Sequence, residues 1–121
     1  MKVGRIKASV ARIAGISPGN IFISSELLQR MEEEDKVGWL SPSLLVGCIF
    51  TGYNQIRQFS ADTLLLVDFE YKGKLTKVAT MEIRYLPQKG IWDVVSVKPK
   101  SKTMLAKMKM LYENIREIDL F

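Results

Sequence analysis

"IWDVVSVKPKSKTMLAKMK", residues 91–109, changes character midway. Its first seven residues read as a strand, and its last part takes on a helical period. It carries five lysines, and no acid stands between Val94 and Tyr112 to balance them. How this stretch divides decides the fold, because here a sheet hands over to the last element of the chain. Divided at Ser101, it becomes a strand and then a helix. Met104, Met108, Leu111, Ile115 and Ile118 recur at spacings of four, three, four and three, one continuous apolar stripe. The spacing predicts a helix from about Ser101 to Ile118, with Lys102, Lys109 and Arg116 repeating every seven residues elsewhere on its surface.

Upstream, the period is that of strands. "TLLLVDFEY" sets Leu65, Val67 and Phe69 on one face against Asp68 and Glu70 on the other, and "YKGKL" supplies a tight turn through Gly73. "LTKVATMEIRY" places Ala79, Met81, Ile83 and Tyr85 on one face, "PQKG" turns again, and "IWDVVSV" is the third strand. Sequential strands joined by short turns make an antiparallel meander. Before it, Ile6, Val10 and Ile13 are spaced as in a short helix that stops at Gly15. "SPGN" is a turn and "IFIS" a short β segment. Ser24 or Ser25 can cap a helix "ELLQRMEEE" with Leu27, Leu28 and Met31 inward. Ser41 and Pro42 open another helix, which runs to about Phe50 and ends near Gly52. The expected fold is α+β: N-terminal helices, a three- to four-stranded antiparallel meander and a closing C-terminal helix. No repeat or linker divides residues 1–121, which read as a single domain.

A chain that is 47% hydrophobic and 26% charged is globular in composition and not disordered. One cysteine, Cys48 within "SLLVGCIF", excludes a disulfide framework and reads as a buried thiol in a reducing compartment. The apolar runs fall short of the roughly 20 residues that span a bilayer, and Lys7 and Arg12 interrupt any signal-peptide core. The expectation is a cytoplasmic protein with no membrane association. The net charge of +5 is unevenly placed. Lys2, Arg5, Lys7 and Arg12 have no acid among the first 25 residues, while acids pool at Glu32, Glu33, Glu34 and Asp35. Two basic segments meeting in space would give the electrostatic footprint of a phosphate binder.

Three pieces, "GNIFISSELLQRM", "TLLLVDFEY" and "KGIWDVVSVKPKSKTML", succeed one another in a suggestive order. A short strand leads to a helix with a Leu-Leu pair, then to a meander ending in Trp and Val-Val-Ser, then to lysines. This order resembles the phage-type barnase/EndoU/colicin/RelE-like (BECR) ribonuclease superfamily, above all its small toxin domains from phages and mobile elements. The resemblance implies RNA as partner and metal-free endoribonuclease chemistry. It places catalytic positions at Arg30 and Asp35, where the family usually carries histidines, and at the late-strand hydroxyl of Ser96, with Lys98, Lys100 and Ser101 just beyond. This chain has no histidine at all.

That departure limits the chemistry. Histidine suits proton transfer because it titrates near neutral pH. A guanidinium keeps its proton, so Arg30 can clamp a phosphate but cannot act as base. Asp35, Glu34 or a lysine would have to move protons, and the expected activity is weak or lost. No cofactor is called for, and consecutive acids on a helix point in different directions, which argues against a metal. Lys98, Lys100, Ser101 and Lys102 are the expected phosphate-binding group, at a strand-to-helix junction whose free backbone N–H groups favour anions. Among the aromatics, Tyr85 and Trp92 read as core, while Tyr53 and Tyr71 lie by turns and are better placed to stack on bases. The other expectation is a non-enzymatic protein-interaction or regulatory module of phage or mobile-element origin. It would meet a protein partner or inhibitor through the sheet or the tail "EIDLF", with the oligomeric state open.

Overall fold

The computed structural model describes residues 1–34, 42–68 and 77–114. In chain order these form β1 (Lys2–Ile6), α1 (Ala8–Ala14), β2 (Gly19–Phe22), α2 (Ser25–Glu34), α3 (Pro42–Gly52), β3 (Gln55–Gln58), β4 (Thr63–Asp68), β5 (Lys77–Leu86), β6 (Ile91–Ser101), α4 (Lys102–Ala106) and β7 (Met110–Glu113). The strands build one curled seven-stranded sheet in the order β1-β2-β6-β5-β4-β3-β7. It is mixed: β2 and β6 run parallel, and the remaining neighbours are antiparallel.

This corrects the expected fold. The meander is present, since β4, β5 and β6 are sequential antiparallel neighbours. It is the middle of a larger mixed sheet, however, and not a three- to four-stranded sheet closed by a long helix. Three strands were hidden. At β1, Ile6 is fully buried in the sheet instead of starting a helix, and α1 buries Ala11 and Ala14 while Ile13 is left 69% exposed. β3 reads Gln-Ile-Arg-Gln, a polar run with no strand period, yet it lies between β4 and β7.

β7 occupies the place of the expected closing helix. α4 has only five residues, and Arg57 Nη1 donates to the carbonyls of both Leu105 and Met108 at 2.9 Å. The helix closes in a tight turn, with the Met108 N–H on the Leu105 carbonyl at 3.0 Å, and an arginine from β3 adds a bond to that carbonyl and takes the next free one, that of Met108. The chain then extends and pairs with β3, Ile56 opposite Tyr112. Ile115 and Ile118 of the predicted stripe, the turn at Gly73, Tyr71 and the tail lie outside the described residues.

Local signals elsewhere hold. Ser24 Oγ accepts the Leu27 N–H at 3.1 Å, the predicted cap of α2. Gly15 ends α1 at φ 70°, with its N–H on the Ala11 carbonyl. Ala79, Met81 and Ile83 share the main core with Trp92 and Val94, and Tyr85 packs against them. Over that face α3 contributes Leu45, Val46 and Ile49, α1 contributes Ala11 and Ala14, and Leu27, Leu28 and Met31 of α2 pack at its margin. β4 departs from its expected one-sided pattern. Leu64 and Leu66 enter the main core, while Leu65 and Val67 form a second cluster with Val78, Leu105 and Met108. Asp68, expected on a wet face, is buried as well.

Close backbone approach governs one corner, where a Cβ at Gly4 would overlap the Phe50 ring, so α3 rests directly on β1. From there Phe50, Tyr53 and Tyr112 form a chain of tilted rings at 6.0 and 6.4 Å that ties the end of α3 to β7. Burial, and secondarily Tyr112, pushes the Tyr53 phenol above its usual pKa. Cys48 is exposed on α3, not buried as its apolar neighbours suggested. Among the described residues no helix is long and apolar enough to cross a membrane.

Candidate nucleic-acid interface

β6 outruns its parallel neighbour. β2 pairs with it at Trp92 and Asp93, and from Val94 to Ser101 its partner among the described residues is β5 alone. A bulge between Glu82 and Ile83 places Ser96 and Val94 opposite them, with Val95 as the extra residue. Side-chain alternation therefore resets. Trp92 and Val94 enter the main core and Val97 packs against it, so Ser96, Lys98 and Lys100 project from the opposite face. On that face Lys98 lies opposite Thr80 and Lys100 opposite Val78.

The hydrogen bonds here engage the backbone of the segment. Thr80 Oγ1 donates to the Lys98 carbonyl at 2.7 Å, and Ser101 Oγ accepts the Met104 N–H at 3.1 Å. Ser101 is thus the N-cap of α4, and that role uses its oxygen. With α4 only five residues long, the anion-favouring helix end expected at this junction is that of little more than one turn. Lys102 opens the helix and is exposed. The ammonium of Lys100 sits 4.9 Å from the centre of the Phe59 ring, which is 40% exposed. Lys98, Lys100 and Lys102 with Phe59 thus form a basic surface with an open aromatic face.

Further along the same face the charge balances. Arg84 lies opposite Asp93, and Glu82 opposite Ser96. The lysines also suit their place as edge residues. Pro99, which has no N–H to offer, pairs with Ala79 on one side, and flanking cations discourage another strand from adding there.

The expected catalytic set is not gathered. Arg30 is an exposed residue of α2, the helix whose Leu27, Leu28 and Met31 pack toward the main core. Ser96 lies on the other face of the sheet, and Asp35 falls outside the described residues. Glu32, Glu33 and Glu34 are exposed. Among the described residues no three His, Cys, Asp or Glu side chains are grouped to hold a metal. Tyr85 and Trp92 are ring partners at 5.0 Å, Trp92 buried at the core and Tyr85 half-buried.

Sequence reasoning missed Phe59. Its only signal was position, an aromatic just before the turn-forming "SAD" between two strands. Comparison of the chain with protein-family models, with curated proteins and with solved structures gave no match.

Proposed function

We propose that this chain is a cytoplasmic RNA-binding domain that grips phosphates with Lys98, Lys100 and Lys102 and offers Phe59 to an unpaired base. The observation that carries this reading is the Lys100–Phe59 pair at 4.9 Å on an exposed surface shared with Lys98 and Lys102. Cations that track a backbone and an open ring that accepts any base are the two parts of a single-strand binding surface. The proposal is of binding, with ribonuclease activity weak or lost. Arg30 and Ser96 lie on opposite sides of the sheet, and the chain has no histidine to shuttle a proton. A relation to the BECR superfamily, on this reading, would be one of ancestry and ligand without its usual chemistry.

The test is fluorescence anisotropy with a labelled single-stranded RNA over 50–300 mM salt, run beside a metal-free cleavage assay from pH 5 to 9. Each lysine on a single-strand phosphate contributes roughly 0.7 to the slope of log K against log salt. The variant Lys98→Gln/Lys100→Gln/Lys102→Gln is therefore expected to lose about 2 units of slope and most of its affinity. Unchanged binding and slope in that variant would refute the proposed surface. Cleavage abolished by Ser96→Ala would restore the catalytic reading.

A further inference from the structure

A single row of cross-strand pairs joins the end of β7 to the lysine surface. Glu113 lies opposite Gln55, Gln55 opposite Val67, Val67 opposite Thr80 and Thr80 opposite Lys98. Four steps between strands cover about 19 Å at the usual spacing of roughly 4.8 Å. Over this row lies α4, whose Leu105 clusters with Val67 and on which Lys102 and Met104 are exposed. The point where the chain leaves β7 is fixed as well, since the Asn114 N–H donates to the Asn54 carbonyl at 2.8 Å.

The far end of the row is electrostatically unbalanced. Among the described residues Lys98, Lys100 and Lys102 have no acid partner, and Lys100 is engaged only by the Phe59 ring. Lys98 and Lys100, two residues apart on one face, stand about 7 Å from each other along β6. Phe59 and Met104, 40% and 48% exposed, add apolar area beside the charge.

Beyond Asn114 the sequence continues Ile-Arg-Glu-Ile-Asp-Leu-Phe, residues 115–121. Its chemistry complements that surface. Glu117 and Asp119 are two residues apart, which in an extended chain repeats the spacing of Lys98 and Lys100. Ile118, Leu120 and Phe121 supply apolar groups. Asp119 is six residues on from Glu113, a reach of about 20 Å when extended, and the lysine side chains lengthen it. Tethering holds the segment at an effective concentration on the order of 1 mM, an advantage that a separate acidic peptide lacks. We propose that residues 115–121 dock on the lysine surface of their own chain and are displaced by single-stranded RNA. Glu117 and Asp119 then pair with Lys98, Lys100 and Lys102, and the apolar residues cover Phe59 and Met104. This contact presupposes the RNA-binding reading of the same lysines and gives that site its regulation, because RNA meets only the undocked fraction.

The experiment uses the full chain with a nitroxide on Leu120→Cys in a Cys48→Ser background, read by NMR. Broadening is expected at the amides of Phe59, Lys98, Lys100 and Lys102. It should vanish there, but persist at Tyr112 beside the tether, when Glu117→Gln/Asp119→Asn is added, and vanish likewise on binding a single-stranded RNA. Without the label, the same double variant should bind that RNA at least threefold more tightly. Glu32→Gln/Glu33→Gln on α2 removes as much charge and should give no such gain. Absent broadening, broadening that ignores the acid-to-amide changes, or an equal gain from the α2 variant would overturn the proposal. So would broadening that passes between molecules in a mixture of spin-labelled and isotope-labelled protein, which would mean a second copy. RNA that binds neither parent nor variant would refute the RNA-binding surface and the competition with it. The broadening needs no RNA and so separates that failure from a failed contact.

Discussion

The two faces of β4 are buried by different means. Leu64 and Leu66 point into a core roofed by α1, α2 and α3, whereas Leu65 and Val67 point the other way, beneath Leu105 and Met108. The first roof consists of helices whose caps and stops lie in adjacent residues, such as Ser24 and Gly15. The second is a single turn of helix, held in place by Arg57 from 48 residues earlier in the chain. One hydrophobic strand can therefore belong to two cores, one specified locally and one specified at long range.

Adjacent leucines on the same strand give the most direct test of that contrast. Leu65 and Leu66 are both fully buried, so each truncation to alanine falls within the roughly 2–5 kcal/mol typical of core leucines. Leu66→Ala is expected near the top of that range, because three helices and the sheet hold its cavity open. Leu65→Ala is expected near the bottom, because a one-turn helix can settle into the space. Urea unfolding of the two variants measures the difference. A Leu65→Ala cost equal to that of Leu66→Ala would mean that the back cluster is as rigid as the front.

The arginine is the next lever. Arg57 Nε donates to Gln55 Oε1 at 2.9 Å, and Gln55 Nε2 donates to Glu113 Oε2 at 2.6 Å, so the guanidinium joins β3, β7 and the end of α4. Arg57→Leu would leave the Met108 carbonyl and the Gln55 amide oxygen without their donor, while the Leu105 carbonyl keeps the Met108 N–H at 3.0 Å, at about 2 kcal/mol in total when each orphaned acceptor costs on the order of 1 kcal/mol. The loss should be regional. Hydrogen exchange is expected to accelerate at Met110–Glu113 while Met81 and Ile83 in β5 stay protected. Uniform acceleration would mean that the second roof is inseparable from the first.

Much of the front face was legible. The alternation of Ala79, Met81 and Ile83, the Ser24 cap and the Gly15 stop are signals carried within a few residues. The back face was not, for identifiable reasons. Met104, Met108 and Leu111 have helical spacing, but Arg57 bonds the carbonyls where the helix closes, and the strand that replaces it needs β3 as a template. β3 in turn buries Gln55 and Arg57, two residue types that seldom mark a strand interior. At the candidate site the lysines were legible as charge. Their common face was not, because the bulge at Val95 resets the alternation. Phe59 enters only through its position over Lys100.

Ser101 gives the smallest effect and the sharpest separation of roles. The sequence marks it as a phosphate ligand, and the structure places its oxygen on the Met104 N–H as a helix cap. These assignments make opposite demands on two substitutions. Ser101→Ala removes the cap, so stability should fall by about 1 kcal/mol while RNA affinity stays within about twofold below the unfolding temperature. Ser101→Asp keeps a capping acceptor but sets a negative charge between Lys100 and Lys102, so stability should hold while RNA binding weakens and its salt slope declines. Thermal melts and anisotropy on the same two proteins decide the matter. A Ser101→Ala protein as stable as the parent but unable to bind RNA would make the hydroxyl a ligand. The back roof would then stand without its cap, on Arg57 and the contacts of Leu105.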